Sequence, residues 1–199
     1  MKKLSLLAMA GAMAFLLTSC FTLQSFSLLA GALKLGQSTK AQFVVRPFST
    51  VKTPGISTAH QFVLVGINAP HTGDLVATKA TWNVKKNKAF APIQNMPVSS
   101  ALAGAIGTQC DTNGFTYSTI TGVTWKGYIT VNPIGDKQLV GQTSVIQVGL
   151  KVPLTATHQD NVTVIGITGA WIDSGNGGGP DSADSFLCAG NGTSFLFVK

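Results

Sequence analysis

The apolar residues of this 199-residue chain occur in short runs that are rich in Val, Ile, Phe and Thr. Clusters of Gly, Pro, Asn and Asp separate these runs, and the Asn-Gly pairs at 113–114 and 191–192 favour tight hairpins because both residues tolerate positive φ. Many short strands with regular turns predict an antiparallel sandwich or barrel. The candidate strands are Ala41–Arg46, Gln61–Ile67, Ala77–Val84, Phe115–Ile120, Gly127–Val131, Ser144–Val152, Val162–Thr168 and Ser194–Val198.

The charge composition points to the same class. Charged residues make up only 11% of the chain, and all seven acidic residues are Asp. A low charge content without Glu, combined with many β-branched residues, disfavours long helices and favours strands. The segment from Phe21 to Leu35 leaves two alternatives open, either a tether that leads into the first strand or a short helix around Leu28–Leu33.

The chain also contains an apparent internal repeat. Segment 36–46 aligns without a gap with segment 141–151, and four features recur in the same order in both parts of the chain. The order predicts two related β-sandwich units, at 35–125 and 126–199, or one larger sandwich over 35–199. The recurring pairs are the two aligned segments, 65–67 with 165–167, Trp82 with Trp171, and 110–117 with 188–195.

A strand opened by Gly-Gln-Ser/Thr, at residues 36–38 and 141–143, resembles the second strand of many bacterial immunoglobulin-like domains. The resemblance is one of pattern and is spread over residues 30–199. It implies an all-β fold, an antiparallel immunoglobulin-like β-sandwich. It also implies that a Cys just before an Asn-Gly pair lies near the end of the penultimate strand.

The N-terminus has the pattern of an export signal. Lys2 and Lys3 precede an apolar run over 4–17, which is too short for a membrane-spanning helix of roughly 20 residues. The following Leu17-Thr18-Ser19-Cys20 resembles the lipobox of bacterial lipoproteins. The resemblance implies a signal peptide at 1–19, diacylation of Cys20 and a lipidated tether at 20–34. Several acyl chains, palmitate among them, form a stable membrane anchor.

This lipoprotein signal predicts a location in the cell envelope. Phe21 occupies the position where Asp commonly marks retention in the inner membrane, so we expect the outer membrane if the organism is Gram-negative. Removal of 1–19 leaves 12 basic and 7 acidic residues. The Lys cluster at 79, 85, 86 and 88 leaves two alternatives open: contact with anionic lipid, lipopolysaccharide or a cell-wall polymer, or a solvated loop or edge strand whose Lys residues prevent edge-to-edge pairing. Nucleic acid is not expected as a partner.

Two cysteines remain once Cys20 is lipidated. Outside the cytoplasm the pair Cys110 and Cys188 predicts a disulfide, which would close a loop of 78 residues. A bridge requires Cα atoms within about 7 Å. Either the two units pack side by side, or they are halves of one sandwich, or the thiols are free.

The most distinctive loop is Gly-rich and spans 173–184. Asp173, Asn176, Asp181 and Asp184 offer the hard oxygen ligands that Ca²⁺ takes, although the spacing departs from an EF-hand. The alternative is a long polar hairpin. No other cofactor is expected.

No catalytic set is evident, so we predict a protein that is not an enzyme. His60, His71 and His158 lack metal-ligand spacing and are expected in surface loops, and no Gly-x-Ser-x-Gly elbow is present. The function expected is non-enzymatic binding or a structural role, with an envelope protein or polysaccharide as partner. The alternatives are a surface adhesin or Ca²⁺/carbohydrate-binding module, and an envelope hydrolase using Asp181 and Asp184. Trp82, Trp125 and Trp171 are expected in the core, whereas an exposed row of them would indicate carbohydrate binding.

Overall fold

The computed structural model describes residues 22–46, 58–84, 93–110, 123–133, 143–173 and 179–199. Within these ranges the chain forms strands and a single helix. The elements are β1 (Leu23–Leu28), β2 (Ala32–Leu33), β3 (Ser38–Val45), β4 (His60–Asn68), β5 (Val76–Val84), β6 (Ile93–Met96), α1 (Ser100–Cys110), β7 (Val123–Thr130), β8 (Ser144–Lys151), β9 (Asn161–Ile172) and β10 (Ser185–Val198).

The strands form two sheets. One has four strands in the order β1-β3-β8-β5, and the other has six in the order β2-β10-β9-β4-β7-β6. The pairings are antiparallel, except that the short β2 runs parallel to β10. The fold is therefore an all-β, immunoglobulin-like sandwich, which confirms the predicted fold class.

Burial follows from what covers each sheet. β3 and β8 alternate between buried and half-buried residues because one face of the four-stranded sheet packs on the core. β4 and β9 are buried almost without interruption, since the six-stranded sheet is covered on both faces. Its inner face meets the other sheet around Phe43, Val63 and Ile146, and its outer face carries a second cluster around Phe62 and Leu64.

The helix α1 covers that second cluster. Ser99 caps it, because the Ser99 Oγ accepts the backbone N–H of Leu102 at 3.1 Å. Leu102 and Ile106, four residues apart on one helix face, pack on the outer side of the six-stranded sheet. The sequence patterns predicted no helix here. Within the described ranges, no helix has the length and apolar character needed to cross a membrane.

Two local predictions were wrong. Segment 20–34 was predicted as a tether, with a short helix around Leu28–Leu33 as the alternative. From Leu23 onward it instead contributes β1 and β2 to the sheets, and Leu33 pairs with Val198. The Asn-Gly pair at 191–192 forms no hairpin, because β10 continues through it opposite Gly166 and Ile167. The irregularity lies just before this pair, as a register shift between Cys188 and Gly190 (φ 149°).

Seven of the eight predicted strands are present in the structure, although their first and last residues differ from the prediction. The eighth, Phe115–Ile120, lies outside the described residues. Residues 36–46 and 141–151 contribute the paired strands β3 and β8, and the two Gly-centred segments at 65–67 and 165–167 lie opposite each other in β4 and β9. The predicted boundary after Trp125 falls inside β7, and strands from both predicted units are present in both sheets.

The pairing registers give the sandwich two distinct ends. β1 starts at Leu23 opposite Val45, at the end where β4 starts; this is called the N-terminal end. At the opposite end, Lys151 lies beside Ser38 and Val76. There, the connections 69–75 and 152–160 cross between the sheets; this is called the loop end. An eight-residue strand such as β3 separates the two ends by about 27 Å.

Tyr128 links the two sheets. Its hydroxyl, on β7, donates a hydrogen bond to the carbonyl oxygen of Thr78 on β5. The residue is only 1% exposed, and burial raises the pKa of Tyr128 to about 12. The neutral phenol is therefore the form that the fold favours.

Replacing Tyr128 by Phe is expected to lower the free energy of unfolding at neutral pH by about 1 kcal/mol, because one buried hydrogen bond is lost. Since folding raises the pKa of the phenol, its contribution is complete below about pH 10, the unfolded value, and is lost as the pH rises towards 12. Urea unfolding from pH 7 to 12 should therefore show a smaller alkaline loss in Tyr128→Phe than in the wild type. Equal losses would contradict this assignment.

Candidate functional site

Two His and two Asp side chains meet at the loop end. The connection 69–75 supplies His71 and Asp74, and the connection 152–160 supplies His158 and Asp160. His71 Nδ1 lies 3.0 Å from Asp160 Oδ2, and His158 Nδ1 lies 3.1 Å from Asp74 Oδ2. The two imidazole rings stack at a centroid distance of 3.5 Å and an interplanar angle of 7°. These four residues are called the His–Asp cluster.

Backbone geometry fixes the cluster. Gly73 adopts a φ of 96°, which favours glycine, and the Asp74 N–H turns back to donate to the His71 carbonyl oxygen at 3.4 Å. Asp160 exchanges two backbone hydrogen bonds with Val198, at 2.8 and 3.2 Å. Its Oδ2 also accepts the backbone N–H of His71 at 3.3 Å. Each connection is thereby tied to the other through side chains.

The carboxylates of the cluster are buried and the rings are half-exposed. The Asp160 and Asp74 side chains are 8% and 7% exposed, whereas those of His71 and His158 are 49% and 45% exposed. A buried carboxylate requires hydrogen-bond donors. Because a carboxylate accepts hydrogen bonds, His71 directs Nδ1–H to Asp160 and keeps Nε2 for another partner.

The cluster does not have the arrangement of a catalytic triad. Thr157 Oγ1 lies 3.0 Å from His158 Nδ1, the same nitrogen that faces Asp74. In a triad, the hydroxyl and the carboxylate bind opposite nitrogens of the imidazole so that a proton can pass through the ring. The described ranges do, however, bring together three potential metal ligands, because donor atoms of His71, Asp74 and His158 lie within 4.8 Å of one another.

A cleft of about 190 Å³ adjoins the cluster. One wall is the connection 69–75 with the start of β5, and the other is β7 around Trp125. The half-buried Trp125 indole lies over Gly66, its cross-strand neighbour, where a Cβ would come within 2.3 Å of the ring. Sites that enclose a ligand have roughly 300–1,000 Å³, so this cleft has room for one projecting group of a larger partner.

Large apolar side chains are exposed mainly at the same end. Leu29, Leu35 and Leu154 flank strands at the loop end and Val76 begins β5 there, and their exposed fractions range from 36% to 78%. Of the remaining two exposed large apolar residues in the described ranges, Phe195 lies near this end and Val131 lies at the N-terminal end.

The residues of the predicted Ca²⁺ loop fall into different environments. Asp184 is buried, and its Oδ2 accepts hydrogen bonds from Trp171 Nε1–H at 2.8 Å and from the Asp181 N–H at 2.9 Å. Asp181 and Asp173 are exposed, and Asn176 lies outside the described residues. The Ca²⁺ site therefore stays a prediction.

The remaining predicted residues are distributed over the chain. Cys20 lies outside the described residues, as do Lys85, Lys86 and Lys88, while Lys79 is exposed on β5. Cys188 lies half-buried in β10 against the cluster that α1 covers, and α1 ends at Cys110.

The sequence interpretation did not foresee the His–Asp cluster. His71 and His158 lie in surface connections, as expected, but their partners Asp160 and Asp74 are 89 and 84 residues away in the sequence. The one local signal is that each His precedes an Asp within three positions, in His71-x-x-Asp74 and His158-x-Asp160. Only the pairing of β4 with β9 brings the two motifs together.

The comparisons with known proteins find similar structures but assign the chain to no family. No protein-family model matches the chain, and no curated protein matches it. The Streptococcus suis adhesin Fhb, solved with the disaccharide receptor Gb2, is 12% identical at a TM-score of 0.47, with 88% of this chain and 87% of that chain covered. The N-terminal domain of the Streptococcus gordonii adhesin Sgo0707 is 6% identical at a TM-score of 0.45, with coverage of 90% and 33%.

The Bacillus cereus major pilin subunit BcpA is 10% identical at a TM-score of 0.41, with 89% of this chain covered. The chain spans 39% of the length of BcpA. At these identities the similarity carries no inference about ligands.

Proposed function

We propose that this chain is a lipid-anchored cell-envelope protein with a non-enzymatic binding role, and that its loop end contacts the partner. The observation that carries the proposal is that the two ends of the sandwich differ. The chain enters the fold at the N-terminal end, whereas the Trp125 cleft and most of the exposed apolar side chains lie at the opposite end.

The proposed anchor is close to the folded body. β1 begins at Leu23, three residues after Cys20, and three extended residues span about 10 Å. A lipid on Cys20 would therefore hold the N-terminal end beside the membrane and direct the loop end away from it. Several acyl chains supply the affinity that one chain lacks.

The proposed binding surface combines three features of the loop end. The cleft admits one projecting group, the Trp125 ring offers a flat apolar wall, and Lys126 adds a positive charge beside it. Leu154 and Leu35 are also exposed at the loop end. This composition suits an envelope protein or polysaccharide, and the His–Asp cluster beside it lacks the geometry of a nucleophilic triad.

The anchor is tested by metabolic labelling with an alkyne analogue of palmitate in a bacterial host that processes lipoproteins. We expect the wild-type chain to be labelled and to sediment with membranes, and Cys20→Ala to lose both properties. Cys188→Ala is the matched control and should keep the label. Labelling that survives in Cys20→Ala would refute the anchor.

The binding end is tested with a photo-crosslinking amino acid introduced in intact cells. At Leu154, on the loop end, we expect an adduct of higher mass, and at Val131, on the N-terminal end, none. Protease and glycosidase treatment of the adduct distinguishes a protein from a polysaccharide. Adducts of equal yield at both positions, or none at Leu154, would contradict the proposal.

We also propose the Cys110–Cys188 disulfide. Gln109, the neighbour of Cys110, accepts the Phe186 N–H with Oε1 at 2.7 Å and donates from Nε2 to the Asp184 carbonyl oxygen at 3.2 Å. These two bonds hold the last turn of α1 beside the start of β10, the strand that carries Cys188. The arrangement supports a bridge between the two cysteines.

Reduction is expected to destabilise the protein by up to about 4.5 kcal/mol, the chain-entropy value for a loop of 78 residues. Thiol alkylation followed by mass spectrometry should show no reactive Cys110 or Cys188 before reduction and both afterwards. Alkylation of either residue in the unreduced, unfolded protein would contradict the bridge.

A further inference from the structure

The His–Asp cluster has a ligand set that the proposed function does not use. Donor atoms of His71, Asp74 and His158 lie within 4.8 Å of one another. Ligands of a tetrahedral ion with bonds of about 2.0–2.1 Å lie about 3.4 Å apart, so the separations within the cluster have to shorten by up to about 1.4 Å. Two imidazole nitrogens and one carboxylate oxygen suit Zn²⁺ and related first-row ions, whereas Ca²⁺ and Mg²⁺ prefer oxygen ligands alone.

The surroundings of the ligands match those of metal-binding histidines. His71 donates Nδ1–H to the buried Asp160 carboxylate at 3.0 Å, which fixes the ring and leaves Nε2 for an ion. Carboxylates in this position orient metal-binding imidazoles in many proteins. Asp160 is itself held by its two backbone hydrogen bonds to Val198, so the support is rigid.

The stacked rings indicate how an ion would enter. Each imidazole nitrogen directs its lone pair within the ring plane, and two planes at 7° and 3.5 Å do not converge on one point. When an ion binds, one ring therefore has to tilt, and His158 has to give up its Nδ1 hydrogen bond to Asp74 so that both residues coordinate the ion. The half-exposed side chains of His71 and His158 leave space for this tilt on the solvent side, where a fourth position stays open.

We infer that His71, Asp74 and His158 form a binding site for a divalent transition-metal ion of the Zn²⁺ class, with Asp160 as a positioning residue. The ion joins the connections 69–75 and 152–160, and the first of these is also a wall of the Trp125 cleft. The inference depends neither on the lipid anchor nor on the identity of the partner. The competing explanation is that the two His–Asp hydrogen bonds only hold the two connections together and bind no ion; this is called the clamp.

The test uses the detergent-solubilised full chain without a polyhistidine tag. At a Zn²⁺ concentration one hundred times the dissociation constant, we expect the Tm to rise by about 5–10 °C, and Ca²⁺ should produce no such rise at this cluster. Co²⁺ should give the intense visible absorption of a tetrahedral site. A Tm that is unchanged by Zn²⁺, without a Co²⁺ spectrum, would overturn the site in favour of the clamp.

Substitutions of the proposed ligands test where the ion binds. His71→Gln with His158→Gln should lower the Zn²⁺ affinity at least 100-fold, and Asp160→Asn should lower it 10- to 100-fold while keeping a tetrahedral Co²⁺ spectrum. His60→Gln is the matched control, because His60 lies at the N-terminal end with its Nδ1 on the Thr130 carbonyl oxygen at 2.7 Å. Wild-type affinity in the double variant, or loss of binding in His60→Gln alone, would overturn the assignment. Should the double variant fold poorly, the Co²⁺ spectrum of the wild type still decides between ion and clamp.

Discussion

Replacing Asp184 by Ala is expected to lower the free energy of unfolding by about 3 kcal/mol, and with it the Tm by about 6–12 °C. The Asp184 carboxylate is buried and accepts the Trp171 indole N–H and the Asp181 backbone N–H. Its removal leaves the buried indole nitrogen without this acceptor, under the helix α1. Thermal and urea unfolding followed by circular dichroism measure the effect.

Asp181→Ala is the matched control, since Asp181 is exposed and its Oδ1 accepts the nearby Ala183 N–H at 2.7 Å. We expect it to cost less than about 1 kcal/mol. Asp184→Asn should fall between the two, because the amide oxygen still accepts. Comparable losses in both Ala variants would contradict the structural role of Asp184. A Ca²⁺-dependent rise in Tm that Asp184→Ala abolishes would instead support the predicted Ca²⁺ loop.

Replacing Gly66 by Ala is expected to destabilise the protein by about 2 kcal/mol, because the new methyl group would lie 2.3 Å from the Trp125 ring. The ring has to move, and the wall of the cleft moves with it. Unfolding curves and tryptophan fluorescence report both consequences. Gly104→Ala is the control, since a Cβ at this exposed helix position meets nothing within 4 Å and should stabilise α1 by about 0.5–1 kcal/mol.

A double-mutant cycle separates this contact from other effects of the substitution. In a Trp125→Ala background, Gly66→Ala should cost much less than in the wild type. An equal cost in both backgrounds would show that the indole does not cause the destabilisation.

Period-two patterning carried much of the fold prediction. Residues 144–151 alternate in burial as a strand with one buried face should, and they could be assigned from sequence. β9 extends through Gly169 to Ile172, beyond its predicted end at Thr168. The end was missed because burial on both faces removes the alternation that marks a strand in the sequence. The Asn-Gly pair at 191–192 misled the prediction, since β10 keeps these residues in the ladder. Local propensity did not reveal this long-range pairing.

The His–Asp cluster could not be predicted from the sequence, for a physical reason. A His and an Asp in a polar connection are common, and nothing local distinguishes His71 from an ordinary surface residue. The stack of His71 on His158 exists because β4 and β9 are neighbours, which places two distant connections at one end of the sandwich. In contrast, the interpretation of Cys20 rests on contiguous residues and needed no fold.

An anchored sandwich that directs its loop end away from the membrane keeps Leu154 far from the lipid and Val131 close to it. To measure this, the lipidated protein is placed in liposomes with a fluorophore on a Cys that replaces either Leu154 or Val131, after confirming that the wild type takes no label. The two positions are separated by the length of the sandwich, about 27 Å. We predict strong quenching of the Val131→Cys label by nitroxide-bearing lipid headgroups and weak quenching of the Leu154→Cys label. Equal quenching, or stronger quenching at Leu154→Cys, would contradict the account.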